Sequence, residues 1–118
     1  KGALLVRARK ITDEMAIAAA YAVANFAQKK GIHPEYIMPT MDETEVFAEE
    51  AADVAMTAIE NGVARTILDR ETVYRRTLHD IQEARDIIGT LMEADFIKPP
   101  DPNMLQAAVE KAVALVRG

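Results

Sequence analysis

The chain has no cysteine, no tryptophan and, read from end to end, no serine. Serine- and cysteine-nucleophile mechanisms, thiolate metal sites and disulfide frameworks are thereby excluded. Long apolar runs are missing too. Charges interrupt every stretch before the roughly 20 residues that a membrane-spanning helix needs, and no segment has the basic, apolar, small-residue order of a signal peptide. Cationic surface is also scarce: 14 Lys and Arg stand against 19 Asp and Glu, a net charge of −5. Phosphate contacts need concentrated positive charge, and the small groups Arg7-Arg9-Lys10 and Arg75-Arg76 are balanced by acids further along. No G-x-G-x-x-G, G-x-x-x-x-G-K-[ST] or H-E-x-x-H occurs, so nucleotide phosphates and catalytic zinc lack their usual platforms. The expectation is a soluble, cytoplasmic protein with no nucleic-acid partner and no membrane partner.

What is present is enough for one domain and no more. At 118 residues, 50% of them apolar, the chain can bury about two-thirds of its unfolded surface without a disulfide or metal. Four segments carry helical signals. Thr12 caps the first, Asp13 and Glu14 sit in its first turn, and it runs to Lys29-Lys30 before Gly31. Its interior, Met15 to Ala24, is so rich in alanine that close neighbours are expected on more than one side. His33 and Met38 precede prolines, which makes residues 31–40 a connector. A second helix is predicted from near Asp42 to Asn61-Gly62, with Val46, Phe47, Val54, Ala55, Ala58 and Ile59 at helical spacing and Gly62 as the left-handed terminator. Asp69 caps a third, running to about Asp95 with Gly89 marking either a close crossing or a break. Asp101-Pro102 starts the last, whose apolar side is Met104, Leu105, Ala108, Val109, Ala112, Val113 and Val116. Leu4-Leu5-Val6 is either a short strand or the end of a helix. The fold class is all-α, with about four helices.

Two clusters could carry chemistry. Glu45, Glu49 and Asp53 recur at i, i+4, i+8, and a divalent cation or a cationic side chain would relieve their repulsion. His79 and Glu83 share a helix face and could share a metal or a proton, but neither His33 nor His79 has the Glu three residues earlier that a di-iron bundle requires. A solvated acidic face and structural histidines are the plainer readings. The residues therefore assign no catalytic, cofactor-binding or metal site.

Three stretches, in order, resemble one family. Gly2-Ala3-Leu4-Leu5-Val6-Arg7-Ala8, followed by Ile11-Thr12-Asp13-Glu14-Met15 and Ala18-Ala19, is similar to G-A-L-D-V-R-A…I-[NT]-x-E-M…A-A of small bacterial and archaeal malic enzymes. Glu35-Tyr36-Ile37-Met38-Pro39-Thr40 resembles their E-Y-I-[ILM]-P-[ST] connector. Val46, Ala51-Ala52, Val54-Ala55, Ala58 and Gly62-Val63-Ala64-Arg65 resemble the helix that closes on G-V-A-R. The similarity covers residues 1–80 and thins towards 100, and the last helix, 101–118, has no counterpart in it. Leu5 stands where the family usually carries Asp.

The resemblance implies a parent that decarboxylates malate oxidatively to pyruvate and CO₂ with NAD or NADP and Mg²⁺ or Mn²⁺. It implies a dimeric parent whose catalytic, nucleotide-binding and metal-binding residues all lie before the position of Gly2. Residues 1–118 would then be one helical fragment, the C-terminal part of a Rossmann-type NAD-binding domain. It would have the remainder of the parent as partner, no cofactor of its own and no activity alone. The first residue, Lys1 and not Met, fits that expectation. The alternative is an autonomous acidic helical interaction domain, associating through its first or last helix.

Overall fold

A computed structural model describes residues 1–117 of the chain. The elements are α1 (Gly2–Leu5), α2 (Asp13–Lys30), α3 (Thr44–Glu60), α4 (Arg70–Glu93) and α5 (Pro102–Arg117), with no β-strand among the described residues. The expected all-α class is what is found, with the ambiguous Leu4-Leu5-Val6 stretch resolved as the end of a short helix. Two compact units divide the chain, Lys1–Glu83 and the residues from Ala84 onward.

The first unit is built around α3. Val46, Ala48, Ala51, Ala52, Ala55 and Ala58 of this helix are buried, and α1 and α2 both pack on it. Small side chains let the backbones approach closely. A Cβ on Gly2 would stand 2.1 Å from the carbonyl oxygen of Ala51, so glycine is required where α1 crosses α3. Val6, Met15, Val63 and Val73 complete the core, and Leu5, Ala8, Leu68 and Tyr74 pack against it. Leu5 is thus an apolar residue in an apolar place, although the resembling family has Asp there.

α1, α3 and α4 end alike, each with a left-handed residue: Arg7 (φ 52°), Gly62 (φ 65°) and Asp95 (φ 60°). The paired backbone bonds of a Schellman motif accompany each. Ala8 N–H donates to the Ala3 carbonyl, Val63 N–H to Ala58 and Phe96 N–H to Leu91 at 2.8, 3.1 and 2.9 Å. The first two ends are also tied together. The Val6 carbonyl accepts from the N–H groups of Arg65 and Thr66, and Arg9 N–H donates to the Val63 carbonyl. The stretches Val6-Arg7-Ala8 and Gly62-Val63-Ala64-Arg65, distant in sequence, therefore hold each other's backbone.

The helix starts follow their caps. Thr12 Oγ1 accepts from Met15 N–H at 3.3 Å, Asp69 accepts from Thr72 N–H at 2.8 Å, and Asp101 accepts from Asn103 N–H at 2.8 Å. The second predicted helix starts two residues later than Asp42, because residues 40–43 form a separate turn. The third ends at Glu93, before the left-handed Asp95. Gly89 is neither a crossing nor a break: α4 continues through it and nothing lies within 4 Å of the position its Cβ would take. On the alanine-rich α2, Met15, Ala22 and Ala27 are buried while Ile17 and Tyr21 are exposed.

In the second unit, none of residues 84–117 is buried. Within this unit α5 makes no packing contact with the end of α4. The apolar side predicted for it is formed, with Met104, Leu105, Val109 and Val113 at helical spacing along α5.

Candidate functional site

One cluster of charge in the first unit borders a cleft lined by α2, α3 and the start of α4. Glu49 and Asp53, one turn apart on α3, both bind the guanidinium of Arg70, the first residue of α4. Arg70 Nε and one terminal nitrogen reach Asp53 Oδ1 at 3.1 and 2.9 Å, and the same terminal nitrogen donates to Glu49. The hydrogen bond to Glu49, and then those to Asp53, raise the Arg70 pKa still further. These groups border a cleft of about 380 Å³ whose other wall is α2, with Asn25, Phe26 and Lys29. Just beyond, Tyr74 is held above its usual phenolic pKa, first by burial and then by Glu49 and Glu45.

In the Glu45, Glu49, Asp53 ladder a cationic side chain, Arg70, pairs with Glu49 and Asp53, and Glu45 stands outside that pairing. Among the described residues no three His, Asp or Glu side chains converge as a metal would need. Glu49 and Asp53 point at a guanidinium, and His79 and Glu83 are exposed. These residues do not fit Mg²⁺ or Mn²⁺, and the sequence offers no glycine-rich turn for a dinucleotide.

A second polar assembly centres on Glu43, just before α3. Its carboxylate accepts from Lys30 Nζ, from the Tyr36 hydroxyl at 3.0 and 3.2 Å, and from Thr40 N–H at 2.7 Å. The bond from Lys30, followed by that from the Thr40 backbone, pulls the carboxyl down to about 2. Tyr36 moves the other way, raised by burial and by its bond to Glu43. His33 stacks on Tyr36 with ring centroids 5.8 Å apart, and the two residues close a tight turn through reciprocal backbone bonds. Glu43 thus pins the 31–40 connector to the ends of α2 and α3. Its signal was available in the sequence: Thr40-x-x-Glu43 has capping-box spacing immediately before an apolar run.

Both assemblies join elements of the fold, and neither places a nucleophile beside a base or an oxyanion donor. What they do is pair opposite charges and hold helices and turns in register.

No family model matches the chain. The bifunctional malic/malolactic enzyme of Bacillus subtilis is 39% identical over 77 residues, 65% of this chain and 19% of that protein. The NAD-dependent malic enzyme of Geobacillus stearothermophilus is 37% identical over 65 residues, 55% of this chain and 14% of its own length. Among solved structures, malic enzyme from Entamoeba histolytica matches 99% of this chain with a TM-score of 0.90 and 49% identity, over 24% of its own chain. Malic enzyme from Pyrococcus horikoshii matches 76% of this chain at a TM-score of 0.70 and 41% identity, over 20% of its chain. The chain is homologous to a part of malic-enzyme proteins, spanning less than a fifth of the length of the curated relatives it matches.

Proposed function

We propose that the chain is the C-terminal helical part of an NAD(P)- and divalent-metal-dependent malic enzyme, contributing structure and not catalytic groups. The observation that carries this reading is the likeness to the Entamoeba enzyme, which runs through 99% of this chain yet takes up only 24% of that one. The polar inventory supports it from a second side. Glu43, Glu49, Asp53 and Arg70 are each engaged in tying helices or turns together. The parent's reaction, oxidative decarboxylation of malate to pyruvate and CO₂, would draw its proton-transfer groups, metal ligands and nicotinamide from the rest of the polypeptide. In this reading the segment works as a helical layer for that remainder, and the exposed Ile17 and Tyr21 on α2 are among the residues that it would cover.

The test is an assay of the 118-residue chain with malate, Mn²⁺ and either NAD or NADP, following reduced cofactor. No turnover is expected. Steady malate-dependent reduction that survives repurification would overturn the structural role.

A further inference from the structure

Three asparagines occur in the chain, and Asn61 alone is followed by glycine. Asn25 precedes Phe26 and Asn103 precedes Met104, whose side chains shield their own backbone nitrogens, whereas Gly62 leaves its nitrogen bare. Asn61 is therefore the most thermolabile of the three amides, and both it and Gly62 are exposed. The pair also occupies a junction. Asn61 ends α3, and its side-chain amide donates to Thr12 Oγ1 at 2.9 Å and to Glu14 Oε2 at 3.3 Å, at the start of α2. Gly62 follows in the left-handed conformation at φ 65°.

We propose that Asn61 is a self-modification site, guarded while the end of α3 is closed and converted to aspartate or isoaspartate when that end opens. The chemistry needs only water. The Gly62 nitrogen bonds to the Asn61 side-chain carbonyl carbon, the bond from that carbon to Nδ2 breaks, and ammonia leaves with the proton that the nitrogen gave up. Water then opens the cyclic imide at either carbonyl, giving aspartate, or isoaspartate in which the main chain runs through the β-carbon. In the closed fold the ring does not form. At ψ 0° for Asn61 the Gly62 nitrogen is turned away from the Asn61 side chain. Swinging it into line breaks the bond from Gly62 N–H to the Ile59 carbonyl at 3.0 Å and disturbs the one from Val63 N–H to Ala58 at 3.1 Å. The bonds to Thr12 and Glu14 hold the amide itself. Conversion consequently follows the fraction of time that this helix end is open. Its products oppose reclosing. A carboxylate in place of the amide has nothing to donate to Glu14, repels it, and stands at the negative end of the α3 dipole. Isoaspartate lengthens the backbone just before Gly62-Val63-Ala64-Arg65, the stretch whose Val63 carbonyl and Arg65 N–H are tied to Arg9 and Val6.

The full chain tests this without a substitution. Two samples are kept in warm, mildly alkaline buffer, one folded and one unfolded in guanidinium chloride, and isoaspartate is located in each by peptide mapping. It should gather at Asn61 and not at Asn25 or Asn103, and about tenfold or more slowly in the folded sample, where only the open fraction reacts. Asn61→Asp, which makes one of the two products directly, should lower the urea midpoint of the chain. No isoaspartate at Asn61 in the unfolded sample, equal rates in the two samples, or an Asn61→Asp chain as stable as the unaltered one would each overturn the proposal.

Discussion

Thr77 lies on the buried side of α4 with its residue 1% exposed and its hydroxyl without a hydrogen-bond partner. A buried hydroxyl left unpaired costs about 1–3 kcal/mol, and the isosteric methyl does not. Thr77→Val should therefore stabilise the chain by about 1 kcal/mol, read as a higher urea midpoint at unchanged slope. Gly2 works in the opposite sense. Its substitution by Ala forces a methyl against the Ala51 backbone and should cost about 1–3 kcal/mol, the usual range for overpacking. Glu43 supplies a pH dependence. Its carboxyl titrates at about 2 in the folded chain against an ordinary 4.5, so its contribution is complete above the unfolded value and is lost as pH falls from there through about 2. Glu43→Gln should consequently lower the urea midpoint at pH 7, with the gap to the unaltered chain narrowing between pH 5 and pH 3. A gap independent of pH would show that Glu43 acts by packing and not by charge. Gly2 and Thr77 were illegible in the sequence because their roles depend on which backbone or side chain comes close. Glu43 was legible in principle through its spacing from Thr40.

Among the elements, α3 carries most of the packing and α4 is fastened to it by charge. Arg70 bridges Glu49 and Asp53, yet its side chain is 47% exposed, so solvent screening limits what the bridge contributes. Arg70→Ala should cost about 0.5–1 kcal/mol at low salt. Most of that difference should vanish at 1 M NaCl, where charges are screened within about 3 Å. Differential scanning fluorimetry of both chains across a salt series checks it. Helix boundaries were readable to within about two residues because caps are local: Thr12, Gly62, Asp69 and Asp101 act on neighbouring backbone groups. Partners were not readable. The i, i+4, i+8 carboxylates on α3 gave their own repulsion plainly, but which cation relieves it depends on where α4 starts. Amphipathicity in α5 was equally plain, and it does not state what the apolar side meets.

For the molecule as a whole, the same ties explain why widely separated stretches resemble one family together. Val6-Arg7-Ala8 and Gly62-Val63-Ala64-Arg65 close the first unit through the bonds at the Val6 and Val63 carbonyls. Arg7 is left-handed at φ 52°, a position glycine fills at less cost. Arg7→Gly should accordingly preserve folding and raise stability by about 1 kcal/mol, measured by urea denaturation. The resemblance thus rests on residues that make a helical scaffold, consistent with a part that supports catalysis housed elsewhere. The most direct measurement of that role is an exchange. The matching quarter of the Entamoeba histolytica malic enzyme is replaced by this chain, and malate oxidation is assayed with its cofactor and Mn²⁺. A folded chimera that turns over malate within about tenfold of the unaltered enzyme is expected. A chimera that folds and binds nicotinamide cofactor but has lost turnover would contradict it, because residues of this segment would then be acting in the chemistry itself.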